Sequence, residues 1–229
     1  DVAAPTEIYK LATHQANPAG NGTLTAAQVN NGSNDACGIL NLHIGQAGFS
    51  CANVGANTVV LTVTDVNYNT STCSATVTVQ DLVAPIALCQ PVTIQLNSAG
   101  NGTLKASQVN NGSNDACGIL NLHIGQAGFT CTNVGANTVV LTVTDVNNNT
   151  ATCSATVTVQ DLVAPNALCQ NLTVSLDANG AASITTTQVN NGSTDACGIA
   201  TYSLNSSTFA CNNQGNNTTI LSVTDINGN

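Results

Sequence analysis

The chain has 229 residues, 42% of them hydrophobic, and a formal net charge of −9. Lys10 and Lys105 are its only basic residues, too few to neutralise phosphates, so neither nucleic acid nor an anionic membrane is expected as a partner. No run of about 20 apolar residues is there to cross a bilayer, and ten cysteines at recurring positions read as a disulfide framework of an oxidising, extracellular or cell-surface compartment.

The chain opens on Asp1-Val2-Ala3-Ala4-Pro5, which returns at 81–85 as Asp-Leu-Val-Ala-Pro and again at 161–165. Asn30 to Gly38, reading Asn-Asn-Gly-Ser-Asn-Asp-Ala-Cys-Gly, returns at 110–118 and, with Thr194 for Asn, at 190–198. The period defines three repeats, 1–80, 81–160 and 161–229. In chain order the second repeat predicts short strands over Val92–Leu96, Thr103–Val109 and Ile119–Ile124. Val139, Leu141 and Val143 then alternate with Val140, Thr142 and Thr144, the period of two of a half-buried strand. Asp145 to Asn149 is a turn by composition, and Ala155, Val157 and Val159 mark the last strand. The third repeat ends at Asn229, after the Asn-Gly turn signal, so its last strand is expected to be missing. Two explanations stand: a window cut from a longer array, or a subunit completed by a neighbour. No sustained helical periodicity appears. About seven short strands per repeat with turns between them predict an all-β, two-sheet sandwich. The proline junctions favour extended backbone, so the repeats are expected to follow one another as an extended rod on the order of 100 Å long.

The set Ala87-Leu88-Cys89-Gln90, Asp115-Ala116-Cys117-Gly118, Phe129-Thr130-Cys131, Thr144-Asp145-x-Asn147 and Thr152-Cys153-Ser154-Ala155 resembles the HYR (hyalin repeat) class of immunoglobulin-like modules. It is most similar to tandem variants in large bacterial surface proteins of the Bacteroidota type. The resemblance spans essentially the whole chain. It implies tandem immunoglobulin-like sandwiches, a role in adhesion or as a stalk or surface fibre, and no enzyme activity.

Cys37 and Cys51 lie close in sequence, and the pair recurs as Cys117/Cys131 and Cys197/Cys211, so spacing predicts three short-loop bridges inside the repeats. For the other cysteines two rules compete. If first and last strands run parallel, Cys89 and Cys153 meet, while Cys73 faces Tyr9 and Cys169 is left over. The rival rule joins Cys73 to Cys89 and Cys153 to Cys169 across the junctions. Cys73 and Cys169 are thus either unpaired or inter-repeat.

Aspartate recurs at the junction (Asp1, Asp81, Asp161), in the Asn-rich loop (Asp35, Asp115, Asp195) and in the late turn (Asp65, Asp145, Asp225). Hard oxygen ligands suit Ca²⁺, and Asp65-x-Asn67 and Asp145-x-Asn147 resemble the opening of a calcium loop. The candidate ligands are Asp65, Asn67, Asp81, Asp145, Asn147, Asp161 and Asp225. The competing reading is turn capping through side-chain to backbone hydrogen bonds. Otherwise no cofactor is expected. His14, His43 and His123 do not recur in all repeats and Glu7 is the only glutamate, so no catalytic constellation forms. The expectation is a non-catalytic stalk or fibre whose partners are copies of itself or further repeats. The alternative is an adhesin module gripping a carbohydrate or protein ligand.

Overall fold

The computed structural model describes residues 2–229; Asp1, the first junction aspartate, lies outside the described residues. The first repeat holds β1 (Ala12–Gln15), β2 (Asn21–Thr23), α1 (Ala26–Val29), β3 (Ile39–Ile44), β4 (Gly48–Ser50), β5 (Gly55–Asp65) and β6 (Thr70–Gln80). The series returns as β7 (Val92–Gln95), β8 (Asn101–Thr103), α2 (Ala106–Val109), β9 (Ile119–Ile124), β10 (Gly128–Thr130), β11 (Gly135–Asp145) and β12 (Thr150–Gln160). The third series comprises β13 (Ala181–Ser183), α3 (Thr186–Val189), β14 (Ile199–Leu204), β15 (Thr208–Ala210) and β16 (Leu221–Asp225).

The strand expected over Thr103–Val109 is instead two elements, β8 and the single helical turn α2. The reason is local chemistry. The Gln108 side chain accepts the Lys105 N–H at 2.8 Å, and Gln28 accepts that of Thr25 at 2.7 Å, the reach-back half of a capping box. That bond closes one turn, which turns Val109 (and Val29 in the first repeat) fully into the core.

Contacts divide the chain into two compact units whose limits cut through the second repeat. The first runs to Cys89 and adds Asn110–His123 and Leu141–Cys153; the second comprises Gln90–Val109, Ile124–Val140 and Ser154–Asn229. In the first unit β1, β6, β5 and β3 form one sheet in that order, with β1 parallel to β6 and the other neighbours antiparallel. A second, small sheet pairs β2 with β4. Val59, Leu61 and Val63 of β5 and Ala75, Val77 and Val79 of β6 point inward at every second position. They meet Leu24, Val29 and Phe49 from the other layer in one cluster, which makes the arrangement a sandwich. Each of the larger side chains contributes roughly 1.5–3 kcal/mol by burial.

In the second unit β7 runs parallel to β12, with Val92 opposite Val157 and Gln95 opposite Gln160. β8 pairs with β10, β13 with β15 and β14 with β16, all antiparallel. Ile184, Val189 and Leu221 form a smaller core, with Leu172, Leu204, Phe209 and Val223 half-buried around it. β5 has neighbours on both sides, whereas β16 is hydrogen-bonded only to β14 among the described residues. The third repeat is therefore the least closed of the three.

The cysteine pairing differs from the spacing argument. Cys51 bonds to Cys117 and Cys131 to Cys197, each with Cα atoms 5.1 Å apart, while Cys37 and Cys211 are free and exposed. The expected pairs Cys37–Cys51, Cys117–Cys131 and Cys197–Cys211 do not form. Cys37 precedes β3 and Cys51 follows β4. The six residues of β3 carry the chain about 20 Å away, and three-residue β4 does not bring it back within disulfide reach. Instead the Cys51 sulfur lies against Gly20, where a Cβ would sit 2.5 Å from it and 3.2 Å from the Cβ of Ala116. Gly20, at φ +72°, meets both the backbone and the space requirement of that approach. Cys89 bonds to Cys153, Cα atoms 5.8 Å apart. Cys73 and Cys169 are unpaired. Cys73 is half-buried opposite Leu61, and burial together with the nearby Glu7 charge pushes its thiol up from the ordinary value.

Candidate metal centre

Two kinds of buried aspartate end the long strands. Asp65, Asp145 and Asp225 close β5, β11 and β16 and are 0%, 0% and 1% exposed. Each satisfies itself within its own turn. Asp145 Oδ1 accepts the N–H groups of Asn147 and Asn149, both at 2.8 Å, and Oδ2 accepts the Asn149 side-chain amide at 2.8 Å. Asp65 and Asp225 repeat the arrangement with Asn69 and Asn229. Burial alone would raise the Asp65 carboxyl. Hydrogen bonds from the Asn69 side chain and from the Asn69 and Asn67 N–H groups outweigh it and hold the carboxyl below its usual range. The same balance holds Asp225 down. These residues cap their turns, and among the described residues no cluster of His, Cys, Asp or Glu side chains takes in Asp65, Asp145 or Asp225. The Asn67 N–H is spent on Asp65, and its side chain is exposed. Asn147 differs: its side-chain oxygen is buried with no donor.

The junction aspartates sit in a different setting. Asp81 follows β6 directly, and its Oδ1 accepts the Val83 N–H at 3.0 Å. Ala84 and Pro85 then lead into a segment that zips antiparallel onto the Asn-rich loop. Ile86 and Asn114 exchange both backbone hydrogen bonds, at 2.8 and 3.0 Å, and Cys89 bridges to Asn110. The Ser113 hydroxyl accepts the Leu88 N–H at 2.9 Å. This pairing delivers Asp115 to Asp81. Asp115 is held in turn, its Oδ1 accepting the Cys117 N–H at 2.7 Å. The late turn closes the third side: the Val146 N–H donates to the Gly118 carbonyl at 3.1 Å, and the Asn149 amide donates to the Asp81 carbonyl at 3.1 Å.

As a result a carboxylate oxygen of Asp81, one of Asp115 and the Cys117 sulfur lie within 4.8 Å of one another. Asp81 is 5% exposed, and its Oδ2 is buried with no hydrogen-bond partner. The second unit builds the same cluster from Asp161, Asp195 and Cys197. Asp161 Oδ1 accepts the Val163 N–H at 3.1 Å, Asp195 Oδ1 accepts the Cys197 N–H at 2.7 Å, and the Asn229 amide donates to the Asp161 carbonyl at 3.0 Å. Asp161 is likewise 5% exposed with an unpartnered Oδ2. Both cysteines are disulfide-bonded, so neither offers a thiolate. The donors that remain are carboxylate oxygens. In the first repeat Asp35 makes the equivalent cap to the Cys37 N–H, at 2.8 Å, but its junction partner Asp1 lies outside the described residues.

Asp81 and Asp161 were legible as candidate ligands, and Asp115 and Asp195 as the recurring aspartates of the Asn-rich loop. The signal available was the invariance of Asp-Ala-Cys-Gly in all three repeats at 35–38, 115–118 and 195–198.

No family model and no curated protein matches the chain. Solved structures that it is similar to include the protocadherin gammaB4 extracellular domain, at 14% identity and a TM-score of 0.36, covering 74% of this chain and 34% of that one. Another is the set of protocadherin gamma B7 extracellular cadherin domains 1–4, at 11% identity and a TM-score of 0.36, covering 97% and 68%. A third is the fibronectin(III)-like modules of Clostridium thermocellum CbhA, at 12% identity and a TM-score of 0.24, covering 69% and 94%. The chain spans about a third of the length of the first of these.

Proposed function

We propose that this protein is a structural, non-catalytic module of an extracellular tandem-repeat array, a surface stalk or fibre. The observation that carries the reading is the junction disulfide. Cys51–Cys117 and Cys131–Cys197 each tie the end of one repeat's β4 or β10 segment to the Asn-rich loop of the following repeat, with the same separation of 66 residues. A covalent tie repeated at consecutive junctions resists pulling and shear, which a stalk needs. Three disulfides also fit an oxidising compartment outside the cell.

The free cysteines support self-association or continuation as the partner. Cys37 occupies the loop position of Cys117 and Cys197, and Cys211 the strand-end position of Cys51 and Cys131. Each is the exposed counterpart of one half of the junction bond, open to pairing with a cysteine of another copy. The kinship with HYR modules of Bacteroidota-type surface proteins belongs to the same proposal and rests on the motifs quoted above.

Electron microscopy of the native material tests the reading. Filaments or stalks with an axial repeat of about 35–40 Å are expected from sandwich dimensions. Isolated globular particles at all concentrations would sink it.

A further inference from the structure

We infer that Asp81 with Asp115, and Asp161 with Asp195, are two binding sites for a hard divalent cation of the Ca²⁺ class. The inference rests on the structural reading of the junctions and adds a ligand to them. In each pair the junction carboxylate is more than nine-tenths buried, and one of its oxygens has no donor. A buried anionic oxygen left bare is unfavourable, and a second carboxylate beside it adds like-charge repulsion. A chain with two basic residues and a net charge of −9 has little positive charge of its own to place there. A cation between the two carboxylates removes both penalties. The same arrangement recurs in two separate copies, so it is a feature of the repeat.

The dimensions fit one ion. Oxygens on opposite sides of a Ca²⁺ ion stand at most about 4.8 Å apart, twice a Ca–O distance of about 2.4 Å, and the paired atoms here lie within 4.8 Å. The donor chemistry excludes a soft metal, because the neighbouring sulfurs of Cys117 and Cys197 are locked in disulfides. Ca²⁺ completes a shell of six to eight oxygens with carbonyls and water, and two protein carboxylates with a buried neighbouring turn suit that mixed shell. The late-turn aspartates, by contrast, have both carboxylate oxygens hydrogen-bonded within their own turns.

The experiment is calorimetric titration of CaCl₂ into the intact, oxidised chain after stripping with EDTA. Binding with a Kd of about 10⁻⁴–10⁻³ M, the range of extracellular modules, is expected. The double variant Asp115→Asn/Asp195→Asn should lose two equivalents per chain. Asparagine keeps the oxygen that accepts the Cys117 or Cys197 N–H, so circular dichroism should show the fold unchanged. Asp81→Asn/Asp161→Asn, which keeps the cap to Val83 and Val163, should lose the same two equivalents and serves if the first variant misfolds. Calcium should also raise the melting temperature of the parent by on the order of 5 °C and leave that of the variants unmoved. No binding at millimolar Ca²⁺, or full binding in both variants, overturns the inference. Filaments without calcium binding would overturn the cation sites and leave the stalk reading intact; calcium binding without filaments would do the reverse.

Discussion

Asp145 and Asp81 are both buried carboxylates, 0% and 5% exposed, in the same repeat and within the same compact unit. One is finished and the other is not. Asp145 sits at the head of a five-residue turn that turns two N–H groups and an amide back onto it. Asp81 sits where the chain leaves a strand in extended form. Pro85 offers no N–H and the local chain supplies only that of Val83. The comparison teaches that burial by itself does not mark a ligand. What marks it is burial at a place where the local backbone cannot supply enough donors.

The largest effect expected is on the finished side. Asp145→Ala leaves two backbone N–H groups and the Asn149 amide without their acceptor in a closed turn. Chemical denaturation should show a loss of about 3 kcal/mol. Asp81→Asn in EDTA removes a buried charge whose Oδ2 has no partner and keeps the oxygen that accepts the Val83 N–H, so the same measurement should change by less than about 1 kcal/mol, in either direction. Equal losses would erase the distinction between the two classes.

Acid should separate the classes further. The folded pKa values of Asp65 and Asp225 lie below the ordinary 3.8. Their contribution to stability is therefore fully present above the unfolded value. It is lost as pH falls below about 4 and through the lower folded pKa. Thermal melts followed by circular dichroism between pH 5 and pH 2 should fall in that window, and Asp65→Asn should shrink the fall. A melting temperature flat across it would contradict the cap.

The smallest effect lies inside the turn itself. Tyr68 and Asn148 hold φ +70°, where Gly228 stands in the third repeat at φ +91°. This region is costly for an aromatic side chain and easier for asparagine. Tyr68→Asn should stabilise the first turn by about 0.5–1 kcal/mol, read from denaturation midpoints. A destabilised variant would show that the exposed Tyr68 ring makes up for its backbone.

Much of the fold was legible because it is local. Alternation at Val139, Leu141 and Val143 is set by the two-residue period of a strand, and Asp145 to Asn149 turns through contacts no more than four residues apart. The helical turn at Ala106–Val109 escaped because one apolar residue per turn shows no period. Its signal was the lone Gln108 reaching back to Lys105. The cysteines escaped for the opposite reason. Partners 66 residues apart leave no trace in spacing, and the short separation of Cys37 and Cys51 was misleading because β3 carries one away from the other.

The sequence by itself determined the repeat, the all-β class and the acidic, cation-poor character of the chain, and left the Asp-Asn turns open between capping and calcium. The first three follow from periodicity and composition alone. Only the tertiary structure decided which cysteines meet and which aspartate is left with a bare oxygen. Both depend on strands that are distant in sequence and adjacent in space: the Ile86–Asn114 pairing brings Asp115 to Asp81, and the glycine at position 20 lets Cys117 reach Cys51.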